Sequence, residues 1–502
     1  MFSMDLKPAP LVKATINVGC GLDVPTGTWH KGKFGENILN GGLGFVTGIT
    51  SVGNQFKSTL LHYLMLSAAS KIMETHATRL STYDTETNVH EKRLISLSQA
   101  FKIFKDRNLI DEGVWTTTDK TVYLGNEYFE LIKSFIRRKV KESKKVNTPF
   151  VDRDKTSFMQ IFVPTFDEID SLTEFQSASE LTMLEENELG DSGANTFHMR
   201  SGLVKQRLLM ELPALAGSGY HYTLMTAQLG KESAIAAGPH SAPPTKKLNY
   251  LKNNDKIKGV TDKFTFATTN CLHIYNMSAM INQSTKAAEY PIAGQDPMSG
   301  DTDLNRLSIR FLRSKSGPSG IELGIIVSQK EGILPSLTEF DFIKGYNRFG
   351  ITGTLQHYAL DLYPEAKLQR TTVRSKIDSD AKLRRALNIT SEIAQMKLFM
   401  QAEVGDSLME PKDVYQKIKD AGYDWDFILE NTRGYWTLDN EKNPVPFLSS
   451  LDILEMAAGK YHPYWMEADK TVKKDVLKRL EEHRKANPDE MVIDLSETAE
   501  AQ

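Results

Sequence analysis

The feature that most constrains the fold is an apolar run that leads through a short polar loop into a second apolar segment. Residues 45–49 predict a buried strand, and residues 59–69 predict a helix. The loop between them ends in Lys57 and Ser58, at the start of the helix. Backbone N–H groups in such a loop, together with the helix N-terminus, can bind phosphate oxygens. This strand–loop–helix unit therefore predicts an α/β fold with an anion site at the helix start.

The residues of the loop indicate which anion it would bind. Lys57 would neutralise the β and γ phosphates of ATP, and the Ser58 hydroxyl would bind Mg²⁺. The usual pattern has glycine where Ser51 and Phe56 stand, so Gly53 is expected to supply the flexibility. A Lys-Ser pair at a helix start is also common without any ligand, and the loop alone leaves that alternative open. The predicted nucleotide-binding residues are Ser51, Val52, Gly53, Asn54, Gln55, Phe56, Lys57, Ser58 and Thr59.

Strand-like and helix-like segments alternate after this loop. Such alternation predicts a mainly parallel central sheet with its ligands at the carboxyl ends of the strands. Glu86, Asp170 and Gln228 all fall at such ends, as the loop itself does. The further predicted strands are residues 80–83, 157–166 and 221–228, and the predicted helices are residues 92–105, 127–141 and 199–216.

The length of 502 residues exceeds one ordinary core and predicts about two or three domains. From about residue 346 helical patterns dominate, at residues 378–402, 411–421, 450–459 and 466–486. The final segment carries acidic residues and no basic one, which predicts disorder. The predicted division is an N-terminal arm over residues 1–39, an α/β core over residues 40–345, a mostly helical C-terminal domain over residues 346–487 and an acidic tail over residues 488–502.

Charge and cysteine content restrict the partners and the environment. A formal net charge of −3 excludes a basic surface over the whole chain, so any DNA site must be a local patch. Cys20 and Cys271 are too few for a metal knuckle or a disulfide framework, which favours a reducing cytoplasm. The N-terminus lacks the apolar core of a signal peptide, and no stretch approaches the roughly 18 apolar residues of a membrane span. We therefore expect a cytoplasmic protein without a membrane partner.

The sequence Phe56-Lys57-Ser58, in place of Gly-Lys-Ser, resembles the phosphate loop of phage recombinases of the UvsX type, which are relatives of bacterial RecA. Residues 83–86 resemble the second-strand segment of that family, and the resemblance implies that Glu86 is the general base that acts on water. Residues 166–172 resemble the Walker B segment, which implies that Asp170 holds Mg²⁺. Taken alone, Glu86 could equally be a strand end or a helix cap, and Asp167 or Glu168 is a rival metal ligand.

Further segments follow in the order of the same family, over roughly residues 40–335. Residues 226–228 resemble the strand end whose glutamine senses the γ-phosphate, which implies that role for Gln228. Arg313 and Lys315 resemble a basic pair that reaches the ATP of a neighbouring subunit. Residues 190–192 and 199–212 resemble the first DNA loop and its helix, and residues 321–333 resemble the closing strands of the core. The resemblance thus implies a RecA-like P-loop ATPase core that is active as an oligomer.

The segment from residue 229 to residue 260 is the main candidate for DNA contact. It is long and polar, and its local excess of lysine suits contact with the phosphate backbone. Tyr250 could stack on a base. Residues 173–198 are acidic and form a weaker candidate, and the basic residues at 137–145 are more typical of a solvated helix face. The predicted DNA-binding residues are Lys231, Lys246, Lys247, Tyr250, Lys252, Lys256 and Lys258.

The resemblance implies a DNA-dependent ATPase that uses ATP and Mg²⁺, assembles on single-stranded DNA and promotes strand pairing. Two alternatives stay open at this point. One is a ring helicase motor of the DnaB-like branch, which shares the same core and differs in the shape of its assembly. The other is a scaffold with a RecA fold that binds DNA without catalysis, which the absent loop glycines favour. We expect the location to be the host cytoplasm if the protein is encoded by a phage.

Overall fold

The computed structural model describes residues 10–178, 180–182, 194–231, 250–251, 255–258, 260, 263–354 and 356–487, with the backbone alone at residues 194–201 and 231. The predicted acidic tail, residues 488–502, lies outside the described residues. The strands in chain order are β1 (Thr28–Lys31), β2 (Asn37–Asn40), β3 (Val46–Ser51), β4 (Leu80–Asp84), β5 (Trp115–Asp119), β6 (Lys145–Val151), β7 (Phe158–Phe162), β8 (Thr165–Asp170), β9 (His221–Lys231), β10 (Asp255–Ile257), β11 (Asn270–Ala279), β12 (Leu304–Ser314), β13 (Glu322–Ser328), β14 (Gly332–Ile333), β15 (Ile351–Gly353), β16 (Tyr358–Leu360) and β17 (Tyr363–Leu368).

The helices in chain order are α1 (Lys57–Met73), α2 (Glu91–Ser98), α3 (Gly125–Glu142), α4 (Ala194–Gly219), α5 (Lys263–Ala267), α6 (Pro335–Gly345), α7 (Val373–Ser379), α8 (Ala381–Phe399), α9 (Gln401–Val404), α10 (Pro411–Asp420), α11 (Trp425–Asn431), α12 (Ser450–Ala457) and α13 (Lys474–Ala486). None of these described helices is both long and apolar enough to cross a membrane.

The chain folds into two compact units. The first takes its described residues from Met1–Thr28, Asn40–Ala279 and Asp303–Leu334, and the second takes them from Trp29–Leu39, Met280–Thr302 and Pro335–Gln502. This partition differs from the sequence-based division, because part of the predicted arm and a segment of the predicted core fall in the same unit as the C-terminal helices.

The first unit is built on a ten-stranded sheet with the order β14-β13-β12-β11-β3-β9-β8-β4-β5, to which β10 is added on β9. Neighbouring strands from β11 to β5 are parallel. The pairs from β11 to β14 and the pair of β9 with β10 are antiparallel. The α/β class is therefore confirmed, and the sheet is mixed, with parallel pairing of its central strands and antiparallel pairing from β11 to β14. The connection from β11 to β12 spans residues 280–303, whereas the connections from β12 to β13 and from β13 to β14 are shorter than the dozen or more residues that a parallel crossover needs.

Helices cover both faces of the central strands. All residues of β3 and β8 are buried, as expected for strands in the middle of such a sheet. On one face, His62 of α1 contacts Glu168 of β8. On the other, Ile169 packs in one apolar cluster with Leu208 of α4. Because successive residues of a strand point to opposite faces, these two contacts place α1 and α4 on opposite sides.

The predicted strand over residues 157–166 is wrong as a single element. β7 ends at Phe162 and pairs with β6 in a separate two-stranded sheet, whereas β8 starts at Thr165 and enters the central sheet. Pro164 lies between them, where the lack of a backbone N–H prevents a continuous ladder. Residues 167–170 are therefore part of β8.

The second unit combines the C-terminal helices with the three-stranded sheet β15-β16-β17. Its helix α12 starts with a capping box in which Ser449 and Asp452 bond reciprocally to backbone N–H groups. Asp452 is fully buried and also accepts the backbone N–H of Asn37 at 2.7 Å, which fixes the 29–39 segment to this unit. The predicted helix at residues 466–486 begins only at Lys474.

Candidate functional site

The phosphate-type loop lies where the sequence predicts it, between the end of β3 at Ser51 and the start of α1 at Lys57. Two of its residues adopt the left-handed conformation, namely Asn54 with φ 59° and Phe56 with φ 54°. Gly53 does not have a positive φ, and a Cβ atom there would meet no atom within 4 Å. Gly53 therefore does not adopt a conformation that requires glycine. Phe56 itself occupies the left-handed position that a glycine would take without strain.

Lys57 and Asp170 approach each other across the ends of α1 and β8. The Lys57 Nζ lies 3.9 Å from the Asp170 Oδ1, and their side chains are only 12% and 8% exposed. The hydroxyl of Thr226 on β9 donates to the same oxygen. A cation suited to phosphate and a carboxylate suited to Mg²⁺ thus converge at one point, in a place where solvent screening is reduced.

The residues present fit Mg²⁺ bound together with a nucleotide. Within the described residues no group of three or more histidine, cysteine or acidic side chains is arranged to hold a metal ion. Mg²⁺ is usually held by one or two carboxylates and completes its coordination with water and substrate phosphates. Asp170 at a buried strand end, and Ser58 as the second residue of α1, provide such a partial ligand set.

Glu86 is held by residues from three separate parts of the chain. Its Oε1 accepts hydrogen bonds from the Ser171 hydroxyl at 3.2 Å and from the Gln228 Nε2 at 3.3 Å. Its Oε2 accepts one from the Asn88 Nδ2 at 3.3 Å. Glu86, Asp170 and Gln228 therefore meet at one edge of the sheet. The sequence predicts this meeting, because all three residues fall at the carboxyl ends of predicted strands. The geometry leaves a carboxylate fixed in orientation beside the Lys57–Asp170 pair.

Asp84 has a structural role that the sequence did not reveal. Its Oδ1 accepts the backbone N–H groups of Glu86 at 2.8 Å and Thr87 at 3.0 Å. Its Oδ2 accepts those of Asn88 and Val89, both at 2.7 Å. Four donors on one carboxylate fix the turn after β4, and this turn places Glu86. The sequence signal for this turn was an aspartate followed by a polar run, because aspartate commonly forms turns through its side chain.

The rival metal ligands Asp167 and Glu168 lie inside β8 rather than at its end. The Oδ1 of Asp167 is 2.7 Å from the Nε2 of His221. The Oε1 of Glu168 is 2.7 Å from the Nδ1 of His62. Burial acts to lower the pKa of His62, but the charges of Glu168 and Asp170 and the hydrogen bond to Glu168 together raise it. Both carboxylates are thus engaged in buried pairs, which leaves Asp170 as the ligand candidate of this strand.

Arg313 and Lys315 are not brought to the loop of their own chain. Arg313 pairs through β11 with Gly48, in the middle of β3, and lies with its Cζ 5.0 Å from the centre of the Phe266 ring. Lys315 follows the end of β12, and burial and the charge of Arg313 lower its pKa. Three residues of strand separate Gly48 from Ser51, or about 10 Å. Any action of these residues on ATP must therefore involve another chain.

Part of the segment predicted to contact DNA, residues 229–260, forms a pair of strands. β9 continues to Lys231 and pairs with β10, so that Lys256 faces Gly230 and Ile257 faces Leu229. Lys256 and Lys258 are exposed, and Tyr250 is 45% exposed. Residues 190–192 and the predicted DNA contacts Lys246, Lys247 and Lys252 lie outside the described residues, as does the side chain of Lys231.

The basic run at residues 137–139 is only partly a solvated face. Arg137 and Arg138 are exposed, whereas Lys139 is buried and donates to the Thr165 hydroxyl at 2.9 Å. Burial lowers the pKa of Lys139 to about 7. This residue therefore belongs to the interior, not to a DNA-binding surface.

The chain matches no protein-family model and no curated protein.

Proposed function

We propose that this protein is an ATP-driven DNA recombinase with a RecA-like P-loop core, which assembles on single-stranded DNA and promotes strand pairing. The observation that carries the proposal is the convergence of Lys57, Asp170, Glu86 and Gln228 at one edge of the sheet. These residues come from four separate segments, and the resemblance to the UvsX type implies a role in ATP hydrolysis for each of them.

The proposed reaction needs positioning and charge stabilisation rather than covalent chemistry. Lys57 and the backbone N–H groups of the loop bind the phosphates. Mg²⁺, held by Ser58 and Asp170 together with phosphate oxygens, would neutralise the charge that develops on them. Glu86 orients a water molecule and accepts its proton, because its carboxylate is already fixed by Ser171 and Gln228.

The DNA part of the proposal is supported by the β9–β10 hairpin. This hairpin follows Gln228 directly and presents the exposed side chains of Lys256 and Lys258. Lysines on an extended hairpin suit phosphate contacts that do not depend on sequence. The proposed location is the cytoplasm, which is the host cytoplasm if a phage encodes the protein.

The test is ATP hydrolysis with and without single-stranded DNA, in the wild type, in Lys57→Ala and in Lys92→Ala. Lys92 is an exposed lysine of α2 and serves as the matched control. We expect hydrolysis that DNA stimulates, that Lys92→Ala retains and that Lys57→Ala loses. Intact DNA binding without hydrolysis in any of the three proteins would instead support the scaffold. Where hydrolysis is stimulated by DNA, electron microscopy and an unwinding assay would distinguish a recombinase filament from a helicase ring.

A further inference from the structure

The short 3-10 helix Leu172–Glu174 follows the end of β8 and is hydrogen-bonded to β9 and α4. Its middle residue, Thr173, uses its hydroxyl twice. The hydroxyl oxygen accepts the backbone N–H of Gln228 at 2.9 Å, and the hydroxyl donates to the backbone carbonyl of Lys258 at 3.3 Å. A threonine hydroxyl has one donor and two acceptor positions, so both bonds can exist together.

Gln228 is thereby connected to three elements at once. Its side chain donates to Glu86 at 3.3 Å, and its backbone carbonyl accepts the N–H of Lys258 at 2.7 Å. Its backbone N–H is bound to Thr173. A shift of the Gln228 backbone must therefore change its bonds to Thr173 and Lys258, while a shift of its side chain must change its bond to Glu86.

The backbone carbonyl of Thr173 connects the same point to α4. It accepts a hydrogen bond from the Nζ of Lys205 at 2.8 Å, and Lys205 is only 4% exposed. Burial lowers the pKa of Lys205, although the charges of Glu180 and Glu174 act in the opposite direction. A buried ammonium is costly without hydrogen-bond partners, so this contact holds α4 against the 3-10 helix. The backbone of α4 is described from Ala194, shortly after residues 190–192, which resemble the first DNA loop.

We propose that Thr173 is the positioning residue that couples the nucleotide site to the DNA-facing segments. The inference rests on the proposed function, because it assigns Thr173 a role in that reaction. A change at Glu86 that displaces Gln228 alters the bonds of the Thr173 hydroxyl, and through Lys258 and Lys205 it reaches the β9–β10 hairpin and α4. Coupling of this kind acts equally in both directions, so DNA bound at those segments must also change the position of Gln228.

The experiment compares Thr173→Val, Thr173→Ser and the wild type. Valine keeps the shape of threonine and removes the hydroxyl, whereas serine keeps the hydroxyl and removes the methyl group. Thr116→Val on the edge strand β5 is the matched control, since Thr116 is exposed. ATP hydrolysis is measured with and without single-stranded DNA, and the Kd for a fluorescent oligonucleotide is measured with and without a non-hydrolysable ATP analogue. The thermal midpoint of each variant establishes that it is folded.

We expect the rate of ATP hydrolysis by Thr173→Val without DNA to lie within about twofold of the wild-type rate. The factor by which DNA stimulates hydrolysis should fall at least about fivefold, which is the lower end of typical allosteric coupling. The Kd for the oligonucleotide without the ATP analogue, divided by the Kd with it, should also fall towards one in Thr173→Val. Thr173→Ser and Thr116→Val should behave as the wild type does. Undiminished stimulation in Thr173→Val would overturn the inference. An equal loss in Thr173→Ser would also overturn it, because packing of the methyl group would then be responsible. A wild type that DNA does not stimulate would contradict the proposed function itself.

Discussion

Carboxylates that lie within a few residues of one another have different tasks at this site because their surroundings differ. Asp84 accepts four backbone N–H groups and is 6% exposed, so both of its oxygens are occupied by the turn that it holds. Among the described residues, Glu86 accepts bonds from side chains, at distances of 3.2 to 3.3 Å. Weak side-chain contacts orient a carboxylate without using all its acceptor positions. Glu86 is therefore the residue of the pair that can serve as a base.

Replacing Glu86 with glutamine tests that assignment. Glutamine keeps an oxygen that can accept the bonds from Ser171 and Gln228 but cannot take a proton from water. We expect kcat for ATP hydrolysis to fall by about 10²–10⁴, the usual contribution of a general base, with the Kd for ATP within about twofold of the wild type. Glu142→Gln, at the exposed end of α3, is the control. Hydrolysis that persists in Glu86→Gln would remove Glu86 from the mechanism.

Lys139 predicts a specific dependence of stability on pH. Burial lowers its pKa from 10.5 to about 7, so between these values the unfolded chain binds a proton that the folded chain does not. The free energy of unfolding must then rise with pH in this window, by roughly 1 kcal/mol from pH 7.5 to 8.5. Lys139→Met, which keeps the length of the side chain without its charge, should lose this rise in urea unfolding. The control Lys141→Met, on the exposed side of α3, should keep it. Equal slopes in Lys139→Met and the wild type would show that the amine is not neutral in the fold.

At the scale of elements, the sequence predicts the strand–loop–helix unit well. The apolar runs indicate the strand and the helix, and the Lys57-Ser58 pair lies at the start of that helix. Other elements depend on facts that local patterns do not contain. Pro164 divides two apolar runs, and only pairing partners reveal that β7 and β8 belong to different sheets. β10 is a three-residue polar strand that exists because β9 extends past Gln228 to pair with it. The antiparallel pairing of β11 with β12, across residues 280–303, likewise leaves no signal in composition.

The left-handed conformation of Phe56 gives a prediction for the start of α1. A non-glycine residue with φ 54° is strained by about 1–2 kcal/mol, whereas glycine is not. Phe56→Gly and Phe56→Ala remove the same aromatic ring, so a comparison of the two isolates the backbone term. We expect the glycine variant to be more stable in urea unfolding by about 0.5–1 kcal/mol, after allowance for the larger entropy of glycine in the unfolded chain. In an ordinary helix position alanine would be the more stable of the two. That ordinary order, if observed, would show that residue 56 does not adopt a positive φ.

At the scale of the whole molecule, each of the two units is built from segments that are not continuous in sequence, and the predicted domain boundaries did not include this. Residues 29–39 and 280–302 join the unit of the C-terminal helices. The anchor of the first segment is polar, since Asn37 donates to the fully buried Asp452 through both its backbone N–H and its side chain. A contact between residues 415 positions apart leaves no periodic pattern in either segment. Composition therefore did not reveal that these segments belong with the C-terminal helices.

The proposed role of Arg313 depends on the assembly of several chains. Within one chain it pairs at the level of Gly48, away from the loop end of β3, so its proposed action on ATP requires a neighbour in a head-to-tail arrangement. We expect Lys57→Ala and Arg313→Ala each to be inactive alone, and their equimolar mixture to recover activity. A productive interface needs the intact loop of one variant beside the intact Arg313 of the other, which random mixing provides at about a quarter of the interfaces. Hydrolysis by the mixture is measured with single-stranded DNA, and Lys57→Ala mixed with the double variant should stay inactive. A mixture no more active than its two components would place Arg313 outside the catalytic site of every chain.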